Sequence, residues 1–177
     1  WSGLNRSAVT LTGWDFGLHD PAMGKIPDNR FPGSATPPIQ LLGTMNIELR
    51  EEIIQFFVAP SKRERLLGFL HSKKRRESLI DEFDSPGIFD PRKVTEIEGP
   101  IRNGEDLPNE YKRLGMGGRV YIMSANDEWD DQIFQMSYIV GECTAMCIDT
   151  IGYCWKTKTA FFEWHHSGSS YFLKGVL

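Results

Sequence analysis

Apolar and polar positions between Arg119 and Trp164 change period twice, and each change predicts a boundary between elements. Val120, Tyr121, Ile122 and Met123 form a short run of β-favouring residues closed by the polar stretch 124–128, which predicts a strand and then a loop. Met136, Ile139, Val140, Cys143, Met146 and Cys147 then recur at three- and four-residue steps. That spacing lays side chains along one stripe of an α-helix about three turns long. Past Asp149 the period falls to two. Tyr153 and Trp155 alternate, Ala160, Phe162 and Trp164 share one face of a further strand, and Phe161 shares the other with Thr159 and Glu163. The order read is strand, helix, hairpin.

Upstream, a helical period from Asn46 places Leu49, Ile53, Phe56 and Phe57 on one face, and Pro60 ends it. Ser61 followed by Glu64 has capping-box spacing, in which each side chain satisfies the other residue's free backbone N–H, and predicts a second helix starting there. Leu66, Leu67, Phe69 and Leu70 form its apolar face. Leu79, Ile80 and Phe83 lie about half a turn round from that face, which places a break near His71-Ser72 and a third helix beyond it. The stretch 84–87 is a turn, Val94 to Glu98 a short strand, and Asn109 to Leu114 one or two helical turns ended by Gly115. Tyr171, Phe172 and Leu173 make a last strand.

Because apolar residues point to both faces of this sheet, helices are expected on both. The helix beginning near Gln135 should cover one face and some of the helices between Asn46 and Phe83 the other. The fold class is therefore α/β (α+β), a small mixed β-sheet with helices packed on both faces and an N-terminal helical segment. Were the Arg119 and Tyr153 strands parallel, the helix between them would cross over right-handed.

Composition adds the domain layout. Residues 1–44 are rich in glycine and proline, poor in charge and without a period, and read as a flexible leader or non-native extension. Residues 45–177 read as a single globular α/β domain, with Met45 as the start of the functional protein. A charged fraction of 25% leaves no apolar run near the roughly 20 residues that a membrane helix needs, so no membrane partner is expected. The three cysteines crowd between Cys143 and Cys154, two of them on the apolar helix stripe, which favours thiols in a reducing, cytoplasmic setting.

Three groups of residues carry candidate chemistry. The acidic loop after the first strand offers Asp127, Glu128, Asp130 and Asp131 as oxygen ligands for magnesium or manganese. A calcium loop begun at Asn126 fails, because Asp131 stands where glycine is needed and Ser137 where glutamate is needed. Cys143, Cys147, Cys154, His165 and His166 include soft ligands and a nucleophile–base pair, Cys154 with His165, but their spacing favours core packing. Between Ser61 and Arg76 seven basic residues face one acid, Glu64, a local charge of 7 − 1 = +6 in a chain whose formal charge is −4. Lys73, Lys74, Arg75 and Arg76 are its densest part and the candidate partner-binding residues. Such a patch recognises phosphates or an acidic protein. Glycines 115, 117 and 118 precede a strand and so do not form a phosphate-cradling loop.

The run 120–124, the acidic loop, the helix, Cys154-Trp155 and the stretch 160–163 resemble a pattern of small bacterial α/β proteins of unknown function, over roughly 45–173. Lys73 to Arg76 and the stretch 89–92 belong to the same pattern. The resemblance implies a bacterial cytoplasmic domain, and it brings no catalytic residue and no cofactor.

The residues favour a non-catalytic interaction or regulatory module with a protein partner. One alternative is a metal-dependent enzyme using the acidic loop at 126–131. The other is non-specific binding of nucleic acid or an acidic partner through the basic helices at 61–76.

Overall fold

The computed structural model describes residues 39–40, 43–76, 78–97, 106–146 and 148–175. All of them belong to the unit Ser34–Leu177, and the unit Trp1–Gly33 holds none. The first elements in chain order are β1 (Ile39–Gln40), α1 (Gly43–Phe57), α2 (Pro60–His71), β2 (Val94–Glu96) and α3 (Asp106–Arg113). They are followed by β3 (Arg119–Ser124), β4 (Gln132–Gln135), α4 (Met136–Met146), β5 (Thr150–Cys154), β6 (Thr159–Trp164) and β7 (Ser169–Lys174).

The strands form one seven-stranded sheet in the order β1-β4-β3-β5-β6-β7-β2. Every pairing is antiparallel, including β3 with β5, where Tyr121 stands opposite Tyr153. The condition for a right-handed crossover is therefore not met. Instead β3 turns through the acidic loop into β4, and α4 carries the chain back over the sheet to β5 on the other side of β3. β5, β6 and β7 then form a meander.

Both faces of the sheet are buried, as the two-sided apolar pattern predicts. Tyr121, Met123, Ile151, Tyr153, Ala160 and Phe162 pack with Ile53 and Phe57 of α1 and Leu66 and Leu70 of α2. Val120, Ile122, Phe134 and Phe161 pack on the opposite side with Tyr111 of α3 and Met136, Ile139, Val140 and Cys143 of α4. The two clusters alternate along β3 as Val120, Tyr121, Ile122, Met123, the period-two signature of a strand covered on both sides. Gly115, at φ +96°, closes α3 in the left-handed region, and Met116 N–H donates to Tyr111 O at 2.9 Å. Among the described residues no helix is long and apolar enough to cross a membrane.

Several local expectations change. α2 starts at Pro60 with Ala59 as its N-cap and no side-chain cap bond, so Ser61 and Glu64 form no capping box. Proline at the first helical position has no N–H to satisfy and already holds a helical φ. The third helix is only a single 3₁₀ turn, Ile80–Glu82, although Leu79, Ile80 and Phe83 are buried as that reading needs. Asp84-Ser85-Pro86 follows at once, and a residue before proline is driven out of helical geometry. Met146, at 52% exposure, leaves the α4 stripe, whose buried members are Met136, Ile139, Val140 and Cys143; Cys147 lies outside the described residues. β4, with only four residues, has no counterpart in the sequence reading. Of the stretch 1–44 read as leader, 1–38 and 41–42 lie outside the described residues, while Ile39 and Gln40 pair with Ile133 and Gln132 and Gly43 and Thr44 open α1.

Candidate functional site

The acidic loop folds back on a cation from α1. Arg50, only 5% exposed at its side chain, donates from Nη2 to Asp130 Oδ2 and Asp131 Oδ1 at 2.7 Å each. Its Nε donates to the Tyr121 hydroxyl at 2.8 Å, and that hydroxyl in turn donates to Asp131. Asp130 also accepts from the Ser124 N–H at 3.0 Å, which pins the loop to the end of β3. Burial alone would lower the Arg50 pKa; Tyr121, Asp130 and Asp131 outweigh it and keep the guanidinium charged. Burial raises the Asp130 pKa against the pull of Arg50. Asp127 and Glu128, the other two acids of the proposed metal set, are exposed. Among the described residues no group of three or more His, Cys, Asp and Glu is placed to hold a metal. Two of the four carboxylates are thus occupied by a guanidinium and two face water.

Lys73, Lys74, Arg75 and Arg76 lie in a turn after α2 rather than on a helix, which corrects the reading of basic helices across 61–76 at these four residues. Ser72 O accepts from both the Arg75 and Arg76 N–H groups at 3.0 Å, and Arg76 Nε caps α2 by donating to Leu70 O at 2.9 Å. Lys73, Lys74 and Arg75 are exposed. The Arg75 guanidinium stands 5.3 Å and that of Arg65 6.0 Å from the centre of the half-buried Phe69 ring. Other members of the basic run serve local structure: Lys62 donates to Gly87 O and Arg63 to Val58 O, each at 2.9 Å. Acids border the turn, with Glu82 on Arg65 at 2.7 Å and Glu51 on His71 at 2.9 Å.

A third place brings together Cys143 and His165, which are sequence candidates, with Glu163, which is not. A cavity of about 240 Å³ opens beside α4 and is lined by Cys143, Thr144, Ile148, Glu163, His165 and Gly168. Glu163, only 5% exposed, lies on β6. Its Oε1 accepts from the Tyr111 hydroxyl at 2.9 Å and its Oε2 from the Ser170 hydroxyl at 2.7 Å. Burial pushes its pKa up to about 7, partly opposed by those two hydrogen bonds. A signal for it was present, since a glutamate sharing a strand face with Phe161 in a sheet covered on both sides must be buried. At the rim, Asp149 accepts the His165 N–H at 2.9 Å and holds its Nδ1 at 2.6 Å, which fixes the exposed imidazole.

Cys143 and Cys154 are both buried free thiols, and Cys143 also lines that cavity. Burial pushes the Cys143 thiol up to about 12, and Cys154, buried on β5, donates from Sγ to Gly117 O at 3.3 Å. Cys154 stands opposite Thr159 at the start of β6, whereas His165 follows its end, roughly 20 Å along the strand. They form no nucleophile–base pair.

Compared with models of protein families, with curated proteins and with solved structures, the chain matches none.

Proposed function

We propose that this chain is a non-catalytic binding module that docks on an acidic protein partner through the turn after α2, with Lys73, Lys74 and Arg75 as its charges and Phe69 as its anchor. The observation that carries this reading is the pair of guanidinium groups, Arg65 and Arg75, held 6.0 and 5.3 Å from the Phe69 ring. Aromatic residues and arginine are enriched at protein interfaces, and a cationic rim steers an acidic partner into register. Glu82 and Glu51 border the patch. A protein surface of mixed charge can match those acids, whereas a phosphate backbone is repelled by them.

The non-catalytic half of the reading draws on the other charged groups. Asp130 and Asp131 are ion-paired to Arg50, and Cys143 is held protonated. Buried free thiols at Cys143 and Cys154 fit a reducing cytoplasm.

The test is capture of a partner followed by reconstitution from purified components. Binding should weaken about tenfold or more when Lys73, Lys74 and Arg75 are changed together to Glu, and separately when Phe69→Ala removes the anchor. Binding unchanged by both variants, or nucleic acid held as tightly as any protein, overturns the proposal.

A further inference from the structure

The cavity beside α4 holds a carboxylate that meets no cation of the described fold. Glu163 takes its two hydrogen bonds from neutral hydroxyls, Tyr111 on α3 and Ser170 on β7. Neither a lysine nor an arginine is paired with it among the described residues. A carboxylate offers about four acceptor positions, so about two remain for whatever enters the cavity that this side chain lines. Buried charges in proteins are ordinarily paired, because leaving water without a counter-charge is costly.

We propose that this cavity binds a small organic cation, an alkylammonium or alkylguanidinium compound, with the Glu163 carboxylate as its counter-ion. The surrounding groups leave the field negative. From α4 come the neutral Cys143 thiol, Thr144 and the half-buried acid Glu142; from β5 comes Thr150, whose hydroxyl faces Ser124 at 2.9 Å. At the rim the His165 Nδ1 is held by Asp149 Oδ2 at 2.6 Å. Tyr111, fully buried, has its pKa raised by burial first and by Glu163 second, so it stays a neutral donor. A volume of about 240 Å³ is below the roughly 300–1,000 Å³ of drug-sized pockets and suits a compact molecule. Ile148 supplies an apolar wall for its alkyl part.

With the carboxyl titrating at about 7, a bound cation displaces its proton, and binding is coupled to pH. The site lies on the α3 and α4 side of the sheet, away from α2, so it stands whether or not the docking reading does.

The test uses the whole chain and four probes of similar size: propylammonium, methylguanidinium, neutral propanamide and anionic propionate. Backbone amide shifts of Thr144, Ile148 and Gly168 in ¹⁵N spectra are followed up to about 50 mM, enough to saturate a site of about 10 mM Kd. The two cations should give saturable shifts. Their affinity should fall about tenfold from pH 8 to pH 6, as the ionised fraction of Glu163 does. Glu163→Gln, which keeps both hydroxyl partners, should lose about tenfold or more in cation affinity while its spectrum stays folded. Should that variant unfold, Thr144→Met, which fills the cavity, must abolish the shifts in its place. Equal shifts with propionate or propanamide, no saturation by either cation, or cation binding undiminished in the folded variants would each overturn the proposal.

Discussion

Tyr121 and Tyr153 stand opposite each other on β3 and β5, and their hydroxyls bind two residues of α1, Arg50 at 2.8 Å and Glu52 at 2.5 Å. The two contacts have opposite polarity. Tyr121 accepts from a guanidinium, while Tyr153 donates to a carboxylate that also accepts from Lys158 at 2.8 Å. An apolar helix–sheet contact can slide with modest penalty, but shifting α1 would separate both tyrosines from their charged partners and leave buried polar groups unmatched. The polar seam thus fixes where α1 lies on the sheet.

Arg50→Met should destabilise the fold by about 3 kcal/mol, because it strands Asp130 and Asp131 beside Tyr121 without a cation. Arg50→Lys should cost less yet not be neutral, since a single ammonium cannot reproduce the contacts that Nε and Nη2 make together. Urea denaturation reads both. Adding Asp130→Asn and Asp131→Asn to Arg50→Met should recover part of the loss. A loss below about 1 kcal/mol for Arg50→Met would mean that the cluster behaves as a solvent-screened surface pair.

Gly152 sits under Phe161 across the β5–β6 ladder, and a Cβ there would meet Cε1 of that ring at 2.0 Å and Cζ at 2.3 Å. Gly152→Ala should therefore destabilise by about 1–3 kcal/mol or more through overpacking. Phe161→Leu alone leaves a gap and is also destabilising, but the double variant should be more stable than the sum of the two losses implies. Simple additivity in denaturant melts would show that the ring yields freely.

Thiol labelling checks the burial of the α4 stripe. Cys143, held at about 12 by burial, and Cys154, hydrogen-bonded to Gly117 O, should resist iodoacetamide at neutral pH until the chain unfolds. Site-resolved mass spectrometry separates each from Cys147. Fast modification of Cys143 in native protein would show an accessible thiolate and undo its assignment to the core.

Elements legible in the sequence are those whose side chains repeat long enough to set a period. Val120 to Met123, the stripe from Met136 to Cys143 and the hairpin strands around Tyr153 and Phe162 all stand in the structure as their spacing implies. β4 escapes because Gln132, Ile133, Phe134 and Gln135 show no full alternation between the acidic loop and α4. The capping box misled because Pro60, one residue earlier, competes for the same helix start. The charges were harder to read, since their partners lie far along the chain. Arg50 meets Asp130 across 80 positions and Tyr111 meets Glu163 across 52, distances that no local period encodes. Glu163 could have been singled out by its place beside Phe161 and Thr159, but its hydroxyl partners could not.

Glu163 should also leave its mark on stability against pH. Its folded pKa of about 7 lies above the usual glutamate value of 4.5, so folding favours the protonated carboxyl. The sign follows: its stabilising contribution is complete below about pH 4.5 and is lost as pH rises through about 7. Asp130 shifts in the same direction and Glu52 in the opposite one, so the wild-type curve alone cannot isolate it. Glu163→Gln removes this one titration and leaves the others in place. The stability of wild type minus that of Glu163→Gln should therefore fall by about 3 kcal/mol between pH 4.5 and pH 8, with most of the change before the upper plateau. Urea melts of both proteins at four or five pH values across that window give the difference curve. A flat curve would mean that Glu163 ionises as readily in the fold as in the unfolded chain, and the cavity would then be open enough for water to solvate the charge.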